Sequence, residues 1–366
     1  MKSILLFFLV CLSINAFASI PNIQKDTTKP FIRKSSFVVL PLIFYSPETR
    51  LGGGAAALYA FRFRNQPDSA RPSQIQIGGA YTQENQILSY LPFQLFFKNS
   101  TYNIYGELGY YRYFYYFYGV GNNLPDERER YTAQYPRVRL NALKKIYPNL
   151  YVGFRYWMDN FNIRAKEVTG KLVNDNINGN QGGLISSLGL VANYDSRDNI
   201  FYATEGYNIE LAILNNGNWL GSDFNFSRIA LDASTYWTNR YKHTLAFNGW
   251  FNFNFGDVPF NEMAVIGGTK KMRGYFEGRY RDNHVWMLQS EYRVPKVWWR
   301  FGVVVFGSVG SVANQISDFT QNQVHYSGGA GLRILLSKKE RVNIRIDYGI
   351  NEKGEGFPYI TVTEAF

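Results

Sequence analysis

Several segments of this sequence alternate large apolar residues with charged or amide residues, and this period of two constrains the fold most. In residues 341–348 the alternating sets are Val342, Ile344, Ile346 and Tyr348, and Arg341, Asn343, Arg345 and Asp347. Residues 205–213 and 247–255 repeat the pattern. Because a strand points alternate side chains to opposite faces, these segments predict strands with one apolar and one polar face. Such strands suit a wall between lipid and water.

The composition indicates how these strands are arranged. After the N-terminal region, no segment approaches the ~18 consecutive apolar residues of a membrane helix. Aromatic residues nevertheless form 17% of the chain, and charged residues only 18%. In lipid, every backbone N–H and C=O group needs a partner, which strands provide only when the sheet closes on itself. The sequence therefore predicts an all-β fold, a transmembrane antiparallel β-barrel; a secreted β-sandwich is the alternative.

The predicted strands are separated by Gly, Asn, Asp or Pro. Their starts lie near residues 34, 51, 73, 87, 102, 132, 147, 183, 205, 222, 241, 285, 300, 325, 340 and 356. This gives about 16 strands, and bacterial barrels have an even number. Two connections, 159–182 and 256–284, are long, and no helical domain is expected.

The N-terminus has the features of a secretory leader. Lys2 precedes an apolar run at 4–12, and Ala16-Phe17-Ala18 provides a small-x-small cleavage site. We expect cleavage after Ala18, which removes the charge of Lys2 from the formal net charge of +11. The expected organisation is a signal peptide at 1–18, a short periplasmic segment at 19–33 and an outer-membrane β-barrel at 34–366.

The single cysteine, Cys11, lies within the predicted leader. A lipoprotein would be lipidated at this cysteine, but Cys11 follows Phe8 and Val10, where a lipoprotein signal has small residues. Without Cys11 the mature chain has neither disulfides nor thiolate metal sites. No cofactor is expected.

The segment 265–282 contains two glycine-bearing elements. They are Gly267-Gly268 and Arg273-Gly274-Tyr275. The segment resembles the signature loop of the BamA/TamA superfamily of outer-membrane insertases and translocators. That resemblance implies a loop whose tip folds back into the barrel lumen, where Arg273 needs acceptors because an unpaired internal charge is costly. The alternative is that Arg273 is a solvated loop arginine.

Other segments resemble the same superfamily, in the same order along the chain. They are Ser46-Pro47-Glu48-Thr49 ahead of Gly52-Gly53-Gly54, Tyr194-Asp195-Ser196-Arg197-Asp198-Asn199 followed by Gly206, Leu288 with Glu291-Tyr292-Arg293-Val294-Pro295, and the terminal segment 359–366. Together the matches run from residue 41 to 366. They imply that Asp195, Arg197 and Asp198 form a barrel motif and that the closing strand ends in Phe366.

The resemblance also implies inner-wall partners for Arg273. One is Glu291 on the next strand, and the other is the acidic residue of a Phe-x-Asp-x-Gly motif on the strand after that. In this chain the motif has Ser308 in place of the aspartate. We therefore expect Glu291 to carry the ion pair, with Ser308 adding a neutral hydrogen bond.

The resemblance is to the solitary-barrel branch of the superfamily, because no POTRA receptor domains precede the predicted barrel. It implies that client proteins are inserted or translocated through a seam between the first and last strands. Pro41 and Pro358 fall in those strands and remove ladder donors, which predicts a seam with few hydrogen bonds, although Pro92 and Pro295 fall in interior strands. The expected partners are unfolded client proteins, outer-membrane lipid and lipopolysaccharide, and accessory lipoproteins or periplasmic subunits.

Two other functions remain open: a lipid or lipopolysaccharide transport barrel, and a passive solute channel. We expect no enzyme, because His243, His284 and His325 lie in no metal-binding or nucleophile motif. We expect no nucleic-acid partner, because the basic excess accompanies no recognisable nucleic-acid-binding fold. Lumenal positions and contacts with anionic headgroups account for that excess.

Overall fold

A computed structural model describes residues 35–64, 66, 71–165, 167, 169–338 and 341–366. These residues form a closed barrel of antiparallel strands, in which the first strand neighbours the last. The predicted signal peptide at 1–18, with its cleavage position at Ala18, and the segment 19–33 lie outside the described residues. Within the described ranges, no helix has the length and apolar character needed to cross a membrane.

Sixteen strands make up the barrel wall. They are β1 (Ser36–Ser46), β2 (Arg50–Phe61), β3 (Ser73–Thr82), β4 (Ile87–Phe97), β5 (Tyr102–Phe117), β6 (Glu129–Tyr147), β7 (Leu150–Ala165), β8 (Gly182–Asp195), β9 (Gly206–Asn216), β10 (Phe226–Thr238), β11 (Thr244–Gly256), β14 (His284–Trp298), β15 (Phe301–Ala313), β16 (His325–Ser337), β17 (Val342–Asn351) and β18 (Gly356–Val362). The predicted strand number is confirmed. The predicted strand starts lie close to the observed ones; the start of β10, predicted near 222 and found at Phe226, is the most displaced.

The remaining elements lie in the connections. β12 (Ala264–Ile266) and β13 (Tyr280–Asp282) pair with each other as a separate two-stranded sheet. The helical turns are α1 (Lys171–Asn174) and the 3-10 turns Asn218–Leu220, Phe260–Glu262 and Ile316–Thr320.

The two faces of the wall differ as the alternation predicts. On β17, Tyr348 and Ile350 are exposed outside, whereas Arg345 and Asp347 are buried on the inner face. On β11, the same division separates outward Phe247, Phe251, Phe253 and Phe255 from inward Asn248, Asn252 and Asn254. An apolar outside and a polar inside are what a barrel in lipid requires.

The connections distinguish a loop end from a turn end of the barrel. The loop end carries 118–128, 217–225, 257–283 and 314–324, and the turn end carries 98–101, 148–149 and 299–300. One predicted connection, 159–182, is wrong in extent, because β7 continues to Ala165. Phe161 and Ile163 keep the alternation going by pointing into the buried interior.

The seam between β1 and β18 is paired differently from the rest of the wall. Among the described residues of these two strands, Tyr45 and Ile360 are the one cross-strand pair. Every other neighbouring pair is joined along a ladder of several residues; β1, for example, pairs with β2 from Ser36–Ala60 to Ser46–Arg50. The prediction of a seam with few hydrogen bonds therefore agrees with the observed register.

The chain turns inward after the last strand. β18 ends at Val362, and Thr363 adopts a left-handed backbone with φ of 69° while its N–H donates to the Asn343 carbonyl oxygen at 2.9 Å. The expectation that the closing strand runs to Phe366 is thus wrong. The redirected chain places the buried Glu364 carboxylate inside the barrel.

Candidate functional site

Residues 264–282, named here the lumenal hairpin, occupy the interior of the barrel. The hairpin begins with β12, ends with β13, and carries Arg273 at its tip. Ala264, Ile266, Met272, Tyr275 and Tyr280 of the hairpin pack in one buried cluster with Val285, Met287 and Val312 of β14 and β15. Apolar packing therefore seats the hairpin against the inner wall, and this fixes where its polar residues lie.

Arg273 is held by two carboxylates from different strands. Its guanidinium, 1% exposed, donates to Glu291 on β14 and to Asp347 on β17. The guanidinium carbon also lies 3.7 Å from the ring centre of Phe306 on β15. Two anions and an aromatic face compensate the charge of an arginine that is withdrawn from bulk water.

Three further arginines extend this arrangement into an arginine network, defined as Arg273, Arg293, Arg333 and Arg345 with Glu291, Asp347 and Glu364. Arg293 contacts Glu291 at 2.7 Å, Arg333 contacts Asp347 at 2.6 Å and Glu364 at 2.7 Å, and Arg345 contacts Asp347 at 3.5 Å. All of these side chains are buried. Removing one member of a buried ion pair costs about 3–5 kcal/mol, because the partner remains charged and uncompensated. The network thus holds the hairpin tip in one position.

The role expected of Ser308 is corrected by the structure. Its hydroxyl lies 2.7 Å from the Ser327 hydroxyl on the neighbouring β16, and it makes no hydrogen bond to Arg273. Asp347, two strands further along the wall, supplies the second carboxylate instead. The second acidic partner of Arg273 therefore lies on β17 and not on β15, and Arg273 still contacts two carboxylates.

The backbone of the tip fits closely against the wall. Gly274 has φ of 116°, and its N–H donates to the Tyr359 hydroxyl at 2.9 Å. A Cβ at Gly274 would lie 3.0 Å from the backbone of Ile350 and 3.1 Å from the Ser327 Cβ. The Tyr275 hydroxyl donates to the Tyr326 carbonyl oxygen at 2.9 Å.

Two glycines give the hairpin its shape. Gly267 and Gly268 have φ of 112° and 103°, a region that side-chain-bearing residues rarely adopt. A Cβ at Gly267 would lie 1.9 Å from the Phe276 carbonyl oxygen. The two glycines therefore allow the arms of the hairpin to approach each other.

The lumenal hairpin spans the seam on the inside of the barrel. On one side, the Tyr359 hydroxyl of β18 accepts from Gly274; on the other, Glu48, in the turn between β1 and β2, accepts from the Glu277 N–H at 2.9 Å. The side chain of Glu277 is exposed within the lumen, but the surrounding protein atoms partly desolvate its carboxyl group. This desolvation raises the pKa of Glu277 to about 7, and the neighbouring Glu48 carboxylate adds to the rise. Burial also raises the pKa of Glu48. The contact with the β1 side thus brings two carboxyl groups together.

The barrel motif lies away from the lumenal hairpin. Asp195 and Arg197 form a two-pronged ion pair at 2.9 and 3.0 Å where β8 leaves the wall at the turn end. Asp198 accepts from the Thr204 N–H at 2.8 Å and from Arg341 in the β16–β17 turn. These residues brace two turns against each other, and the structure does not bring them to Arg273.

Phe366 contributes to the lumenal site although it lies beyond the closing strand. Its backbone oxygen accepts from Arg293 at 3.0 Å, and the Arg293 guanidinium lies 5.3 Å from its ring centre. Among the described residues, no group of three or more His, Cys, Asp or Glu side chains is placed to hold a metal ion.

Comparison with known proteins relates this architecture to one family. Residues 65–358 match the Omp85 superfamily domain. No curated protein matches the chain in sequence.

Solved structures match the fold over most of the chain. BamA from Haemophilus ducreyi lacking POTRA domains 1–3 is 16% identical with a TM-score of 0.60, over 90% of this chain and 70% of that chain. CdiB from Acinetobacter baumannii is 10% identical with a TM-score of 0.56, over 90% of this chain and 59% of that chain. CdiB from Escherichia coli is 11% identical with a TM-score of 0.59, over 90% and 62%.

Proposed function

The chain belongs to the Omp85 superfamily, and on that premise we propose that it inserts or translocates client polypeptides at the outer membrane through the β1–β18 seam. The clients are unfolded polypeptides, delivered by accessory lipoproteins or periplasmic subunits. In this proposal the seam and the lumenal hairpin perform no chemical catalysis. The seam presents an unpaired strand edge to the client, and the hairpin controls when that edge is accessible.

The pairing at the seam is the observation that carries this proposal. With Tyr45–Ile360 as the registered position, β1 and β18 leave backbone N–H and C=O groups without a ladder partner. An edge of this kind templates an incoming extended strand, because main-chain hydrogen bonds form with any sequence. A client strand therefore gains more hydrogen bonds at the seam than opening the seam costs.

The lumenal hairpin supports the same proposal. The ion pairs of Arg273 at its tip are with β14 and β17. The turn between β1 and β2 contributes the Glu48 carboxylate, which accepts a hydrogen bond from the Glu277 N–H. Separation of β1 from β18 breaks the Glu48 contact and leaves the arginine network intact. The hairpin also fills lumen space that a wide solute channel requires, which favours a polypeptide-handling role over passive diffusion.

Locking the seam tests the proposal. Tyr45 and Ile360 are directly opposite on adjacent strands, a spacing at which a disulfide can form. In a Cys11-free background, we expect oxidised Tyr45→Cys/Ile360→Cys to reduce the outer-membrane protein inventory of depleted cells, and reductant to restore it.

The matched control is Ala57→Cys/Ile77→Cys, which bridges a registered pair within the β2–β3 ladder. Its oxidation leaves the inventory unchanged if the seam alone must open. An oxidised seam variant that supports normal assembly would refute the proposal.

A further inference from the structure

Three arginines face outward on the long strands near the loop end, and they are named here the outer arginine patch: Arg112 on β5, Arg130 on β6 and Arg164 on β7. Their direction follows from cross-strand partners, which share a face of the sheet. Arg112 pairs with the exposed Ile87, Arg130 with Tyr116, and Arg164 with Thr132. The patch therefore lies on the outer wall and not in the lumen.

The three arginines stand close together on this wall. Arg164 is two strands from Arg112 and one outward position nearer the loop end. Strand spacing and rise then separate their Cα atoms by about 12 Å, and Arg130 lies nearer still to Arg164. Long arginine side chains at these positions can converge on one headgroup.

The patch carries charge that the protein does not neutralise. Arg130 pairs with Glu84 at 3.1 Å and covers the Phe114 ring, whose centre lies 3.8 Å from its guanidinium carbon. Arg112 and Arg164 are exposed and have no ion pair with a described residue. Between them, Gln134 and Asn162 carry amide groups on the same outward row.

Exposed tyrosines on the outer wall indicate the depth at which the patch lies in the membrane. Tyr81 and Tyr110 are 55% and 47% exposed on the outer face, as expected of the aromatic girdle at a membrane interface. Tyr81 lies in the same row as Arg112, and Tyr110 lies one outward position nearer the barrel middle. The arginines thus begin where acyl chains give way to headgroups.

The other side of the barrel lacks such a feature at this depth. The outward residues at the loop end of β11, β16 and β17 are Phe253 and Phe255, Tyr326, and Tyr348 and Ile350. None of these is charged. The outward positive charge of β5–β7 therefore has no counterpart on β11, β16 or β17 and does not form a general ring.

We propose that the outer arginine patch binds the phosphate groups of a phosphorylated glycolipid in the outer leaflet, with Gln134 and Asn162 contacting its sugar hydroxyls. Long loops face outward in barrels of this type, which places the patch in that leaflet. Arginine forms paired hydrogen bonds with phosphate oxygens. Anchored glycolipid then holds the β5–β7 sector in place, on a part of the wall remote from the seam.

Lipid retention by the full chain in nanodiscs tests the site. The probe is diphosphorylated lipid A, with phosphatidylglycerol, phosphatidylcholine and free inorganic phosphate as separate arms, read by native mass spectrometry. We expect Arg112→Gln/Arg164→Gln to retain roughly thirtyfold less lipid A, since each basic residue near an anionic lipid surface contributes about fivefold.

The control is Lys144→Gln/Lys296→Gln, which removes two exposed charges near the turn end. This variant retains lipid A as the unmodified chain does, and an unchanged heat-modifiable gel shift shows that all variants are folded barrels. Equal retention of lipid A by both double variants, equal retention of phosphatidylglycerol and lipid A, or full displacement by inorganic phosphate would overturn the proposal. Because client handling is not measured, the result is independent of the proposed function.

Discussion

The two sides of the seam hold the lumenal hairpin very unequally. The β14–β18 side contributes buried ion pairs to Arg273 and a hydroxyl to the Gly274 N–H. The β1–β2 side contributes the Glu48 carboxylate, which accepts one backbone N–H while lying beside Glu277. This difference indicates that the β14–β18 side holds the hairpin tip. Under the proposed function, β1 separates from β18 without unseating the tip.

Removing the charge of Arg273 removes the ion pairs by which the β14–β18 side holds the hairpin. We expect Arg273→Met to free the hairpin tip, because the tip loses two charge-assisted hydrogen bonds, each contributing about 1.5–3 kcal/mol. Glu291 keeps its pair with Arg293, and Asp347 keeps its pair with Arg333. Planar-bilayer recordings should then show larger and longer openings.

The control for this change is Lys171→Met, which removes an exposed pair with Glu127 at 3.1 Å. Exposed pairs contribute about 0–1 kcal/mol, so its recordings should match the unmodified chain. Identical conductance of the Arg273 and Lys171 variants would show that the network does not seat the hairpin.

A smaller loss of stability of the seated hairpin is expected from a substitution at Gly274, where the tip backbone contacts the wall. Gly274→Ala places a Cβ 3.0 Å from Ile350 backbone atoms at a φ of 116°, and such strain costs about 1–3 kcal/mol. Gly354→Ala is the matched control, because Gly354 has φ of 79° but nothing within 4 Å of its Cβ position. Protease sensitivity of the hairpin should rise more for the Gly274 variant; equal sensitivity would mean that close approach is unimportant.

The weakest expected effect is a pH dependence on the β1 side. The pKa of Glu277 is raised from 4.5 to about 7 by desolvation of its carboxyl group and by Glu48, so the seated hairpin favours the protonated acid. Stability from this contact is fully present below pH 4.5 and is lost as the pH rises through 7. The Glu277 side chain is exposed, so solvent screening limits the size of the effect.

We therefore expect the hairpin to be released more easily at pH 8 than at pH 5, measured by the accessibility of a fluorophore-labelled tip. Glu277→Gln should flatten this dependence, whereas Glu127→Gln, at an exposed carboxylate, should retain it. A steep profile in the Glu277 variant would assign the titration to another group.

Much of the barrel follows from the sequence because its strands obey one local rule. Period-two alternation located the strands and put Arg345 and Asp347 on the inner face. The rule failed at the end of β18, where Thr363 takes a left-handed backbone that no alternation encodes. The predicted end of β7 was also too early. The segment after residue 159 is rich in Asn, which indicated a loop, but Phe161 and Ile163 continue the inward-facing set of the strand.

The site was less predictable, because its partners come from strands far apart in sequence. The motif located Arg273 and Glu291, but the loss of the aspartate at position 308 gave no indication that Asp347 would replace it. That replacement depends on the register of β14 to β17, which sets the height of each inward residue. The contribution of Glu364 was missed for the same reason, since it depends on the inward turn after β18.

Spin-label distances across the seam test the central claim most directly. Labels at Tyr45 and Ile360 report the β1–β18 separation, and labels at Ala57 and Ile77 report the β2–β3 ladder as reference. On addition of an unfolded client strand, we predict a second, longer distance at the seam and a single unchanged distance in the reference pair. A seam distance that stays single and short while the client binds would contradict the account.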